Sequence, residues 1–330
     1  MIQLSTPIQL PPSPPRLGYG MGGLSMGSCF SEHIGAYLRD GGLSLEINPF
    51  GIQYNPLSIA EGLNQLLKGK DFEREDLFEY GGLYHSFLHH GSFSIDPEGA
   101  LRKMNEARRS ALELLPYLRF LLLTWGTAYV YRLATEEYGG GIGSVVSNCH
   151  KLPERTFSRE RTSLGELLSV WCPLIEELRE GFPDLIIVQA VSPVRHLRDG
   201  AHGNALSKAT LLLFAEELSR LYPQHCFYFP SYELVLDELR DYRYYADDLV
   251  HPSTLTQRII QERFASWLLD EEAKRGLPQA HRLRRELCHR PLHEEGKAHA
   301  QRLKALHGRI QAFRTQYPLA QLYDLPSWID

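Results

Sequence analysis

Short, nearly unbroken apolar runs alternate along this chain with segments whose apolar residues recur at three- and four-residue spacing. The first run, Gly23-Leu24-Ser25-Met26, reads as a buried strand broken by Gly27. Behind it, SEHIGAYLRDGG sets Ile34, Tyr37 and Leu38 on one helical face, and Gly41-Gly42 ends the helix. LSLEI predicts a second strand running into NPFGIQYNP, a loop dense in Asn, Pro and Gly. Helices are expected over 58–67 and 98–115, the latter with Leu101, Met104, Ala107, Ala111 and Leu114 in a stripe. Between them, residues 71–97 show neither period and are expected to be irregular.

LRFLLLTWGTAYVYR opens with a continuous apolar run bounded by Gly126, the pattern of a strand covered on both faces of a parallel sheet. A helix over 163–179 places Leu164, Leu167, Leu168, Trp171 and Ile175 on one side, and Pro173 should kink it. The strand DLIIVQAVSPV, the loop VSPVRHLRDGAHGN, a helix over 207–221 and the strand CFYFPSYELV follow. This repeated order predicts an α/β fold with helices covering a mostly parallel sheet, whose ligands bind beyond the carboxyl ends of the strands. From about residue 271 the sequence turns charged and helix-favouring. Two helices separated by Pro291 are expected there, a hairpin packed on the sheet or on a second copy in a homo-oligomer.

With 43% hydrophobic residues in 330, the chain can bury one large domain with an appendage. The net charge of −5 and the scatter of basic residues argue against a nucleic-acid partner. Cys29, Cys149, Cys172, Cys226 and Cys288 form no CxxC pair, so neither a disulfide framework nor a zinc site is signalled. The start, MIQLSTPIQLPPSPPRLGYG, lacks a secretory pattern, and no stretch nears the roughly 20 apolar residues of a membrane span. A soluble cytoplasmic protein with no membrane partner is the expectation.

Polar clusters fall at the predicted strand ends: Gly27-Ser28-Cys29, residues 48–55, Trp125-Gly126-Thr127, and the late DDLVHP. Ser28 with Asp248 and His251 supplies the pieces of a nucleophile, an orienter and a base. GSCF, NPFGIQYNPLSI, GTAYVY, NCHKLPERTFSRE, VSPVRHLRDGAHGNALSKATLL and ADDLVHPS, in that order, resemble the GSCFA family, placed among the SGNH-like hydrolases. This chain reads GSCFS, with Ser31 where the family name has Ala.

The resemblance implies a three-layer α/β/α sandwich of SGNH or flavodoxin-like kind over 1–271, with an insertion at about 58–116 and a helical extension over 272–330. It implies Ser28 as nucleophile, His251 as general base and Asp248 as orienter, with no cofactor. Backbone N–H groups at Ser28 and Gly51 would hold the oxyanion. Where the superfamily has Gly-x-Asn, this chain has Gly126-Thr127-Ala128, so the third donor falls to Asn148 or Thr127, or is absent. The implied activity is hydrolysis of an O-acyl ester on a carbohydrate or small metabolite. An O-acyltransferase using the same acyl-enzyme and a non-catalytic binding protein are the alternatives.

Each residue also has a plainer reading. Ser28 could only cap its helix, and Asp248 or Asp247 could be a loop carboxylate. Cys29 competes as nucleophile, because a helix N-terminus favours the thiolate, but packing behind Ser28 suits it better. His85, His89 and His90 could line the cleft or simply pack, and no carboxylate completes a metal site with them. His202, Asn204 and Lys208 are cleft candidates, with helix capping by Ser207 as the alternative.

Overall fold

Gly27, the last residue of the first strand, has φ of +141°, and a Cβ there would lie 2.3 Å from the Thr124 carbonyl oxygen. Glycine therefore lets two strands close on each other at the point where the chain turns into its first helix. The computed structural model describes residues 5–288 and 297–323. In chain order these form β1 (Gly22–Gly27), α1 (Cys29–Asp40), β2 (Ser44–Ile47), α2 (Pro56–Lys68), β3 (Phe78–Tyr80), β4 (Leu83–Ser86), β5 (His89–Ser94) and α3 (Pro97–Leu114). There follow β6 (Leu118–Trp125), β7 (Tyr129–Leu133), β8 (Val145–Val146), β9 (Phe157–Arg161), α4 (Leu164–Gly181), β10 (Ile186–Val191), α5 (Gly200–Leu221) and β11 (Cys226–Tyr228). The last described elements are the one-turn α6 (Ser231–Glu233), α7 (Thr254–Leu268), α8 (Glu271–Cys288) and α9 (Lys297–Gln316).

The central sheet is five-stranded in the order β11-β10-β6-β1-β2, and every pairing in it is parallel. Counting only its own strands, the order is the flavodoxin-like 2-1-3-4-5, which reverses direction between β1 and β6. Side chains of β6 alternate between two cores, as period two requires. Leu121, Leu123 and Trp125 join the core under α2 to α5, whereas Phe120 and Leu122 join that under α1, α7, α8 and α9. Trp125 meets Trp171 edge-on at 4.9 Å and donates its indole N–H to the buried Gln189. The α/β/α architecture is thus in place, and its helices begin on side-chain caps: Asn55 for α2, Asp96 for α3, Ser163 for α4 and Ser253 for α7.

Several expectations need correction. Residues 71–97 are not irregular, because β3, β4 and β5 pair as an antiparallel sheet. The run LRFLLLTWGTAYVYR does end its strand before Gly126, as expected, and its second half, β7, pairs with β8 and β9 in another antiparallel sheet. Helix α5 starts at Gly200, seven residues before Ser207, so Ser207 caps nothing and instead accepts the Ala128 N–H at 2.8 Å. Strand β11 stops at Tyr228 before Pro230. Pro291 lies outside the described residues. Of the two packings expected for the last two helices, the one on this chain is seen, with Leu277, Leu306 and Ile310 buried in its own core.

Candidate active site

Ser28 directly follows β1 and is the N-cap of α1, its Oγ accepting the Phe30 N–H at 3.3 Å. The loop after β2 is stitched to the same strand end. Asn48, at φ +47°, accepts the Gly27 N–H through its side chain at 2.9 Å, and Gln53 N–H donates to the Gly27 carbonyl at 3.0 Å. The Tyr54 carbonyl then takes both the Gly126 and Thr127 N–H groups, at 2.8 and 2.9 Å. Gly126 is needed at this crossing, since a Cβ would come within 2.9 Å of that carbonyl and 3.4 Å of Ser28 Cβ. These bonds join the ends of β1, β2 and β6 at the point where the strand order reverses, which is where open α/β sheets bind ligands.

Beyond these ends lies a cavity of about 590 Å³. Ser28, Tyr54, Asn55, Thr127, Asn148, Asp248 and His251 are among its lining residues. Asp248 and His251 reach it from a tight loop before α7, closed by the Ala246 N–H donating to the His251 carbonyl at 2.8 Å. Leu249, at φ +58°, makes the turn. One Asp248 oxygen accepts the Val250 and His251 backbone N–H groups, each at 2.9 Å, and the other meets His251 Nδ1 at 2.6 Å. These bonds, the backbone His251 N–H foremost, hold the Asp248 carboxyl down at about 2, so it is ionised at neutral pH. Ser28 is 2% exposed whereas the His251 side chain is 51% exposed. They share the cavity without a direct hydrogen bond.

The other expected residues divide. Thr127 lines the cavity, but its hydroxyl is shared with Ser207 at 3.1 Å. Asn148 lines it too, with its amide N–H donating to the His90 carbonyl at 3.4 Å and its oxygen accepting the His150 N–H. Gly51 is not in the lining, and its N–H donates to Asn48 at 2.7 Å, so the oxyanion role expected of it lacks a free donor here. The Ser28 N–H likewise donates to Thr124, at 3.3 Å. His85 and His89 are buried, the first stacked on Phe78 and the second against Phe50 and Phe72; they are packing, not a cleft wall. His202 is exposed outside the cavity, and Asn204 sits behind it, accepting the His196 N–H at 2.9 Å. Among the described residues, no group of three or more His, Cys, Asp or Glu side chains is placed to hold a metal.

Cys29 is not tucked behind Ser28 but lines the same cavity. Burial pushes its thiol up, which keeps it protonated and weakens its claim as nucleophile. Lys208 is almost wholly buried and donates to the Gly126 and Ser192 carbonyls at 2.6 and 2.7 Å, tying the ends of β6 and β10 together. Tyr54, Asn55, Arg159, Arg195, His196 and Arg198 also line the cavity and were not singled out from the sequence. Asn55 was within reach of sequence reasoning, lying in the same loop as Gly51. The arginines were not, because only the topology gathers them.

The family model of the GSCFA family matches residues 24–264. The chain belongs to the GSCFA family. No curated protein and no solved structure matches it. The GSCFA match begins inside β1 and ends within α7, so it spans both the Ser28 turn and the Asp248–His251 loop. No helix among the described residues of this GSCFA chain is long and apolar enough to cross a membrane.

Proposed function

We propose that this chain is a serine esterase of the SGNH type, hydrolysing an O-acyl ester on a carbohydrate or small metabolite. One observation carries the reading: Ser28, at the switch point of the sheet, opens on the same cavity as the hydrogen-bonded Asp248–His251 pair. In the reaction, Ser28 Oγ turns from the Phe30 N–H toward His251 Nε2 and gives up its proton as it attacks the acyl carbon. The tetrahedral adduct collapses to acyl-Ser28, and the departing alcohol takes the proton from His251. Water then repeats the sequence, leaving the free acid and the restored serine. Ionised Asp248 fixes the proton on Nδ1 of His251 and stabilises the imidazolium formed in each half.

The engaged N–H groups of Ser28 and Gly51 favour a second reading, a binding protein on the same fold without turnover. Labelling by a fluorophosphonate separates the two. Esterase chemistry predicts stoichiometric labelling of the full chain, lost in Ser28→Ala, slowed by about 100-fold or more in His251→Ala, and retained in Cys29→Ala. A chain that resists the probe, or one whose labelling disappears with Cys29 instead, would overturn the assignment of Ser28.

A further inference from the structure

We propose that the cavity binds an ester carrying an anionic oxyacid group, a carboxylate, phosphate or sulfate, through Arg159, Arg195 and Arg198. The choice of bond to be cut rests on the esterase reading above; recognition of the anion does not. All three arginines line the cavity that holds Ser28. Arg159 lies over the Tyr129 ring at 4.5 Å and that of Tyr131 at 5.4 Å. Arg198 lies 5.5 Å over Tyr131 and donates to its hydroxyl. Arg195 lies 5.5 Å over Tyr245 and donates to the Leu249 carbonyl. Aromatic support of this kind orients a guanidinium without neutralising it.

Of the carboxylates nearby, only that of Asp199 pairs with one of these arginines away from solvent. Asp199, whose side chain is 0% exposed, pairs with Arg159. Glu154 stands 3.6 Å from Arg198 but is 94% exposed, a pairing that solvent largely screens. Asp248 is held by His251 and two backbone N–H groups, and Arg195 has no carboxylate partner among the described residues. The Nε atoms of Arg159 and Arg195 are both buried without an acceptor. Planar guanidinium forks lining a cavity of about 590 Å³ suit a planar or tetrahedral oxyanion, which accepts two parallel hydrogen bonds from one guanidinium. His196, in the same lining, is pushed down to about 4 chiefly by burial and then by the Lys208 charge, so it adds a neutral polar group.

The test uses the full chain carrying Ser28→Ala and measures binding by calorimetry. Its ligands are para-acetoxybenzoate, para-acetoxyphenyl phosphate, para-acetoxybenzenesulfonate and the neutral methyl para-acetoxybenzoate. At least one anion should bind about tenfold or more tightly than the neutral ester, and the tightest identifies the group recognised. That preference should shrink in Arg198→Gln, shrink further in Arg195→Gln/Arg198→Gln, and weaken between about 50 and about 500 mM sodium chloride. Equal binding of all four ligands, or preference for the neutral one, overturns the proposal without reference to any variant's folding. If the unsubstituted chain cleaves none of them while the anion preference persists, the esterase reading falls and this one stands. Cleavage of all four at equal kcat/KM does the reverse.

Discussion

At the scale of single residues, Lys208 is the most demanding group in the site. Its ammonium is about as buried as any apolar core residue, and it is tolerated because two carbonyls, of Gly126 and Ser192, accept from it. Burial pushes Lys208 down to about 7, with the Cys29 thiol acting weakly the other way. An unfolded lysine titrates near 10.4. Between these values the unfolded chain binds more protons than the folded one, so this residue's contribution is lost as pH falls through about 7 and is complete above about 10. Lys208→Met leaves two buried carbonyls without a donor, at about 1–3 kcal/mol each. The stability gap between the unsubstituted chain and this variant should therefore widen as pH rises from 7 to 10, read as urea midpoints across that range. A gap that narrows would show that the ammonium, not the amine, is the stabilising form.

At the scale of elements, the turn from β1 into α1 depends on Gly27. A methyl group there would meet the Thr124 carbonyl oxygen at 2.3 Å and the Thr124 nitrogen at 2.9 Å, both backbone atoms of β6 that cannot swing aside. Gly27→Ala should destabilise the protein by about 2–4 kcal/mol, and because Ser28 rides on the same turn, fluorophosphonate labelling should fall even in the fraction that folds. An unchanged urea midpoint with full labelling would refute this. The elements legible in the sequence were those whose pattern is set by their own burial. The continuous run of β6 is buried on both faces, and the stripe of α3 on one, so each announced itself. Strands β3 to β5 did not, because their stability comes from pairing with each other across Gly- and His-rich sequence. The first turns of α5, GAHGN, read as loop because two glycines disfavour helix. Tertiary packing offsets that: a Cβ on Gly203 would lie 3.1 Å from the Tyr129 hydroxyl, so glycine gives the Tyr129 side chain of β7 room against the helix. The Asp248–His251 spacing was legible because it is local, and the arginine cluster was not, because Arg159 comes from β9 and Arg195 from the loop after β10.

At the scale of the whole molecule, the family match ends at residue 264 but the core does not. Helices α8 and α9, with Tyr317 just beyond, put Leu277, Leu283, Leu306, Ile310, Phe313 and Tyr317 into the cluster that also holds Ile34 and Leu38 of α1 and Leu122 of β6. The contact is close as well as apolar. A Cβ on Gly41 would lie 2.7 Å from Leu277, and Tyr19 donates its hydroxyl to the Gly41 carbonyl at 3.0 Å while packing on Gly276. At about 1.5–3 kcal/mol for each large apolar side chain, these residues bring on the order of 10 kcal/mol of burial. A whole domain has only about 5–15 kcal/mol of net stability. A chain ending at residue 270 keeps every candidate site residue yet uncovers the side of α1 on which α8 packs and empties part of this core. It should lose its cooperative urea transition and bind the dye ANS strongly in buffer, whereas the full chain should do neither. A truncated chain with the midpoint of the full one would mean that the sheet with α1 and α7 suffices alone, and that the last two helices add nothing to its stability.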